Sequence, residues 1–586
     1  MRRARIHAGV AFALLLIAVV GLPVHGQERA PESTEAVYER YAVAADHPLA
    51  SQAGAEVLAA GGNAADAAAA TMLALGVVSP ASSGLGGGGF ALYYRASDRS
   101  VHYLDFRERA PAAATADMFA RRPGDDDATA ANRSRVGGLA VGVPGEPAGI
   151  EALIERFGSR AVTRPQIVAP ALRYATEGFE ASPSIEQYSR WVGASIRTDP
   201  VLGRWLPDGQ SFIPAGHRLT NPEQARTLRE LASQGWQAFY RGRIAREIVR
   251  RVREAGGILT LDDLAAYRVA TREPLSATHF GHRWVSSPPP SAGGVSLLGS
   301  LALLERWLPA AQRREDSALF RHALAESWKG PYHDRYLFLG DPDHVEVPVP
   351  AMLASERIAE RARFFHPALA RPTETYDVPL PGHVRRPAIP GSDGGTSHLC
   401  VVDAEGNVAA ITTTVNLLFG ARFTAAGIVM NDEMDDFARE VGQPNAFGLV
   451  GGAPNLPGPG RRPVSSMSPT IVFAGDEPIL CVGGAGGSRI ITATQQVALF
   501  SVLFGDRPGQ ALARPRVHHQ GSPDALFVEA AMGPELRAEL AARGHALREI
   551  DHSAVVQAIR IERSGGQRRL YAASDWRKAG ARPAGR

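Results

Sequence analysis

The sequence predicts a mixed α and β architecture in which helices cover sheets. Three observations carry this: two capped, alanine-rich helical stretches near the N-terminus, a mostly helical middle, and strand-like runs after a proline-rich loop. The 586 residues exceed a typical ~150-residue domain severalfold, so two or more domains or one unusually large one are expected. With 45% hydrophobic and 21% charged residues, composition excludes whole-chain disorder, collagen-like repetition and coiled coil. The balance of 63 basic against 60 acidic residues argues against a nucleic-acid binder, and no basic stripe appears. Cys400 and Cys481 are the only cysteines, which excludes a disulfide-dense scaffold and a four-cysteine zinc site. Lysine occurs only at Lys329 and Lys578, and neither adjoins a glycine-rich or apolar site signature.

Residues 1–26 read as a secretory signal. Arg2, Arg3 and Arg5 precede an apolar run from Ala8 to Val20, and small Gly26 follows Val24-His25. Cleavage is the favoured reading, with an uncleaved membrane anchor as the alternative. The expected location of the body is periplasmic or secreted. His47 to Ala60 then forms a helix stopped by Gly61-Gly62, and Asn63 caps a second helix with Asp66 at its third position. Phe90–Tyr94 and Val101–Phe106 have strand character, and Gly149 to Leu264 is mostly helical. Pro288-Pro-Pro290 with Gly293-Gly294 makes a rigid turn ahead of a helical stretch reaching about Ala362. Six prolines between His366 and Ser392 mark a loop of about 366–395, longer than compact domains usually tolerate without a purpose. Beyond it, Ser397–Asp403 and Asn407–Thr414 read as a hairpin turning at Ala404-Glu405-Gly406. Strands follow near Ile428, Thr470 and Ile479, and a helix over Arg489–Leu503.

The chemistry concentrates where that loop ends, at Gly394-Gly395-Thr396. An internal threonine hydroxyl is a poor nucleophile because nothing adjacent removes its proton. Breaking the Gly395–Thr396 bond would give Thr396 an α-amine with a reference pKa of ~7.7–8.0, partly neutral at physiological pH and able to serve its own hydroxyl as base. Glycine upstream leaves the carbonyl unobstructed. Taken alone, Gly-Gly-Thr reads as a turn before a strand.

The surrounding motifs change that reading. His47–Gln52, Gly61–Ala67, Gly86–Phe90, Asp105–Pro111, Val143–Gly145, Pro288–Gly294, Leu339–Asp343, Thr396–His398, Asn431–Phe437, Pro463–Thr470, Gly486–Arg489 and His518–Gln520 occur in order from about Val43 to Trp576. Together they resemble the gamma-glutamyltransferase (glutathione hydrolase) family of N-terminal-nucleophile hydrolases. The resemblance implies an α+β fold, a four-layer αββα sandwich built jointly by a large subunit (27–395) and a small one (396–586). It implies a proenzyme that cuts itself between Gly395 and Thr396, then moves the γ-glutamyl group of glutathione or related amides to water, amino acids or dipeptides.

The resemblance also assigns roles. Thr396 matches the nucleophile, Thr414 the threonine that aligns it, and Gly486 with Gly487 the oxyanion-hole glycines. Arg107, Ser465 and Ser466 match the donors to the substrate α-carboxylate, a planar guanidinium fork suiting it bidentately. Asn416, Glu433 and Asp436 match the groups that receive the α-ammonium. Read singly, Arg107 would be a surface ion pair, Asp435-Asp436 a solvated pair, and Ser465-Ser466 turn residues. No cofactor, metal or nucleic acid is implied, and His518-His519 lacks an acidic partner at metal-ligand spacing. Cys400 and Cys481 read as buried free thiols, with pairing in an oxidising compartment left open. Three departures stand out. Gly484-Ala485 replaces the usual Ser-Pro, Gly330-Pro331 predicts a helix kink, and Phe447 stands in the lid (Val441 to Asn455) where tyrosine is common, so a lid hydrogen bond toward Asn416 is lost. Two competing functions are a related glutaryl or cephalosporin acylase, which would not need Asp436, and an inactive envelope binding homologue, which would not need Thr396 and Thr414.

Overall fold

A computed structural model describes residues 34–314, 316–380 and 395–586. The signal at 1–26, Gly394 and the 381–394 part of the proline-rich loop lie outside the described residues. Two seven-stranded sheets form the centre. One runs Ala584–Gly585, Ala42–Ala45, Gly395–Val402, Val408–Asn416, Gly88–Arg95, Ser100–Phe106, Ala270–Arg272; the other runs Glu35–Tyr38, Gln567–Ser574, Val555–Ser564, Glu477–Ala485, Thr470–Ala474, His282–Ser286, Leu275–His279. Every pairing within them is antiparallel.

Side chains alternate across a strand, and here both faces are apolar. Leu399, Val401, Ala409 and Ile411 pack outward on the alanine-rich helices Pro48–Ala59 and Ala64–Val78. Their neighbours Cys400, Val402, Val408 and Ala410 face inward onto Ile471, Cys481 and Ile559 of the second sheet. Helices Gly293–Trp307, Ala318–Phe338 and Arg489–Leu503 cover that sheet's far side. The order is helix, sheet, sheet, helix, the four-layer sandwich the resemblance implied. Each sheet takes strands from both sides of the Gly395–Thr396 junction.

The local signals hold where they were strong. Asn63 and Asp66 form a reciprocal capping box at the Ala64–Val78 helix, and the hairpin turns at Gly406, whose φ is +93°. One expectation needs correction. Cys400 and Cys481 are joined in a disulfide, not free. Each points into the gap between the sheets, and their Cα atoms lie 6.0 Å apart, within bonding range. The helix Ala318–Phe338 continues through Gly330-Pro331, with Pro331 inside it. Tertiary contacts hold it there: the Arg361 guanidinium packs against Gly330, and Arg361 with Arg357 grips Asp334 on the next turn. Among the described residues no helix is long and apolar enough to cross a membrane.

Candidate active site

Thr396 begins the regular pairing of its strand opposite Thr414, and the register shifts between Gly395 and Thr396. That irregularity turns the Gly395 carbonyl toward two hydroxyls. Thr396 Oγ1 lies 2.8 Å from the Gly395 oxygen, Thr414 Oγ1 lies 2.9 Å from it, and the two hydroxyl oxygens are 3.2 Å apart. The Asn416 N–H donates to Thr414 Oγ1 at 2.8 Å, leaving the Thr414 proton free to point at the carbonyl or at Thr396. Gly395 has no alternative here: a Cβ would stand 2.6 Å from the Ala81 carbonyl oxygen.

Thr396 and Thr414 line a cavity with Arg107, Asn416, Glu433, Asp436, Phe447, Ser465, Ser466 and Gly487. Its free volume of about 20 Å³ holds no more than a water molecule. Every sequence-predicted site residue except Gly395 and Gly486 lines this cavity. Gly486 is the next residue along but lines a separate hollow beside Trp191 and Arg489. The two glycines form the turn between the Glu477–Ala485 strand and the Arg489–Leu503 helix, so their N–H groups lie where helix amides favour negative charge. Gly487 adopts φ +59°, and a Cβ there would sit 2.3 Å from the Phe447 ring.

Arg107 is fully buried and clasped by acids. It pairs with Glu433 and, at 2.5 Å, with Asp436, while its Nε donates to the Pro463 carbonyl. The predicted carboxylate grip and the predicted ammonium acceptors therefore hold each other. Burial, only partly offset by Arg107, pushes the Asp436 carboxyl above its usual range and Glu433 well above it. Glu108 is a third acid at this cluster, with Oε2 3.7 Å from the guanidinium and burial lifting it to about 8. Three buried carboxylates crowd this guanidinium, which disfavours the charged forms of Glu108 and Glu433 most. Sequence reasoning missed Glu108, although it stands beside Arg107. Met467 and Ile490 complete the wall and were also missed.

The serine pair is placed by the proline turn. The Ser465 N–H donates to the Pro290 carbonyl, and the Ala292 N–H donates to the Ser465 carbonyl. Ser287 and Ser291 hydroxyls both donate to the Met467 carbonyl. Asn416 takes φ +75° and donates its side-chain amide to the Asp432 carbonyl. The lid is closed, with Phe447 over Gly487. It is fastened without a tyrosine: Asn445 donates to Asp436 at 3.1 Å, the Ala446 N–H donates to Asp435, and Gln520 donates to the Phe447 carbonyl. Lys578, which carries no site signature, ends buried beside Asp46 and donates to Ser82 Oγ at 3.0 Å, directly behind Gly395.

His518 and His519 point apart, one to Thr492 and Gln520, the other to Asp524. His322, Glu326 and His545 do converge, but the two rings bond each other at 2.7 Å and Lys329 pairs with Glu326 at 2.8 Å. A cation already occupies that acid, so the cluster is a poor metal site.

A threonine hydroxyl against a glycine carbonyl, beside an arginine–carboxylate pocket, is an arrangement with known counterparts. The Gamma-glutamyltranspeptidase family profile matches residues 50–584. This chain belongs to that family. It is an enzyme of the gamma-glutamyltransferase and glutathione hydrolase class. Its relatives include the glutathione hydrolase proenzymes of Pseudomonas sp. (strain A14), 36% identical over 95% of both chains, and of Escherichia coli (strain K12), 36% identical over 91% of this chain and 90% of that one. The fold is similar to a cephalosporin acylase from Bacillus halodurans (TM-score 0.80, 25% identity, 98% of this chain and 99% of that one). It is also similar to a gamma-glutamyltranspeptidase chain from Helicobacter pylori (TM-score 0.53, 32% identity, 56% and 92%).

Proposed function

We propose that this family member is a proenzyme that cuts itself at Gly395–Thr396 and then cleaves glutathione and related γ-glutamyl amides through an ester on Thr396. In processing, Thr396 Oγ adds to the Gly395 carbonyl carbon and the peptide nitrogen leaves, taking up the hydroxyl proton. The resulting ester is hydrolysed by water, so one chain ends at Gly395 and the other begins with Thr396. In turnover the new α-amine takes the Thr396 hydroxyl proton as Oγ attacks the γ-carbonyl carbon. The oxyanion faces the N–H groups at Gly486 and Gly487, each such donor typically worth ~2.7–4 kcal/mol in the transition state. The amine returns the proton to the departing nitrogen, releasing cysteinylglycine from glutathione. Water or an amino acid or dipeptide then attacks the ester, giving glutamate or a new γ-glutamyl amide. Arg107, Ser465 and Ser466 would receive the donor's α-carboxylate, and Asp436, Glu433 and Asn416 its α-ammonium. The scheme calls on no cofactor and no metal.

The observation that supports this reading is the Thr396 hydroxyl 2.8 Å from the carbonyl oxygen of the bond it would break, in a cavity shared with Arg107 and Asp436. The large (27–395) and small (396–586) chains would stay together. Export to the periplasm or medium is part of the proposal, supported by residues 1–26 and by the Cys400–Cys481 disulfide, a bond that persists in oxidising compartments.

Intact mass of the purified protein is expected to give two chains divided at 395/396, with γ-glutamyl-p-nitroanilide turned over in preference to the glutaryl anilide. A glutaryl group has no ammonium to satisfy Asp436. Full activity in one uncut chain refutes the mechanism, and preference for the glutaryl anilide favours an acylase. Processing without turnover of any γ-glutamyl anilide favours a binding role.

A further inference from the structure

Burying a charge without a counter-ion is costly, so buried cations are normally paired. Among the described residues eight arginines and two lysines are buried. Nine of these ten make ion pairs with carboxylates: Arg107, Arg321, Lys329, Arg357, Arg361, Arg462, Arg516, Arg577 and Lys578. Arg335 is the exception. It is 5% exposed, and its Nε has no hydrogen-bond partner.

Arg335 lines a cavity of about 440 Å³, the size class of small-molecule sites. Tyr332, Leu449, Thr373, Gln520 and Asp524 share its wall. Two acids share the wall, Glu374 and Asp524; Asp524 is committed to His519 and to the Thr373 hydroxyl. Arg335 is thus a buried guanidinium on this wall with no carboxylate in ion-pair contact among the described residues.

This cavity abuts the one that holds Thr396. Phe447 faces the inner cavity while Gly448, Leu449 and Val450 face the outer. Tyr332 donates to the Ser488 carbonyl, Ser488 donates to Gln520 Oε1, and Gln520 donates to the Phe447 carbonyl. The partition is thus the lid tip and the residue after Gly487. A γ-glutamyl group with its carbonyl at Gly487 and its amino-acid end at Arg107 extends its amide nitrogen toward this partition.

We propose that Arg335 is the carboxylate receptor of a subsite for the amine half of the reaction: the dipeptide leaving from the donor and the amino acid or dipeptide arriving as acceptor. The inference rests on the γ-glutamyltransferase reading. A planar fork matches a carboxylate bidentately, and the open volume leaves room for a dipeptide, which carries its carboxylate one residue beyond the reacting nitrogen. Arg335 also acts electrostatically on Asp436, so a receptor must be distinguished from a residue that only tunes the donor pocket.

The test compares partners with and without a terminal carboxylate. Wild-type protein is assayed with glycylglycine and glycylglycinamide as acceptors, and with glutathione and γ-glutamyl-p-nitroanilide as donors. Wild type should favour glycylglycine over its amide. In Arg335→Gln that preference, and the glutathione-to-anilide ratio of kcat/KM, should each fall about tenfold, and Arg335→Lys should restore part of both. A wild type indifferent to the acceptor carboxylate overturns the proposal, even if Arg335→Gln fails to fold. Equal losses on both donors with an unchanged acceptor preference overturn it too, leaving Arg335 a tuner of Asp436. Failure of the parent reading looks different: wild type then turns over neither donor.

Discussion

Replacing Thr414 with valine keeps the side-chain shape and removes one hydroxyl from the processing site. That hydroxyl is 2.9 Å from the Gly395 carbonyl oxygen and 3.2 Å from Thr396 Oγ1. As the carbonyl becomes an oxyanion the hydrogen bond strengthens, and losing one such donor costs ~2.7–4 kcal/mol, or about 100- to 1,000-fold in rate. The same change strips the Asn416 N–H of its acceptor at 2.8 Å, a loss of ~1–3 kcal/mol of stability if no water replaces it. Thr414→Ser keeps the hydroxyl and should process within about threefold of wild type, a modest barrier change. Intact-mass sampling of freshly purified precursor gives the rate of appearance of the two chains, and thermal melting gives the stability. Wild-type processing in Thr414→Val would refute the role of that hydroxyl. Slow processing in Thr414→Ser as well would place the effect in packing instead.

Gly395→Ala should leave most of the protein uncut by intact mass, because its Cβ would meet the Ala81 carbonyl at 2.6 Å and force the scissile bond out of place. Donor kcat/KM should fall as pH drops, because protonating Asp436 removes the acceptor of the α-ammonium. Its carboxyl lies above the usual range, so the acid limb should lie at higher pH than for an ordinary aspartate (~3.9), and Asp436→Asn should abolish that limb in a pH–rate profile. The double change Cys400→Ser with Cys481→Ser removes a bridge spanning 81 residues. It should cost ~2–4 kcal/mol, read as a lower melting temperature in wild-type but not mutant protein when reductant is added.

Much of this was legible because the signals were local. Asn63 with Asp66, and the hairpin at Gly406, are set by residues a few positions apart. The site was legible only through motifs acting together, since Arg107, Asp436 and Ser465 each read blandly alone. The two cysteines were misread because which strands face each other across two sheets is a tertiary fact, and an apolar strand position suits a free thiol as well as a bridge. The Val555–Ser564 and Gln567–Ser574 hairpin was passed over, although Gly565-Gly566 between alternating runs marks it plainly. Arg335 could not be read in advance, because its meaning lies in the carboxylate it lacks.

The interleaving of strands from both sides of residue 395 changes what a cut there does to the protein's thermodynamics. An intact precursor finds its native state by a unimolecular search, so dilution leaves its stability untouched. Once nicked, the same architecture could re-form only from two separate polypeptides, and its recovery would depend on concentration. Neither fragment keeps a complete sheet, so they part only by unravelling both. The mature pair is thereby expected to persist through a high unfolding barrier, with no ready route back if it is crossed in dilute surroundings.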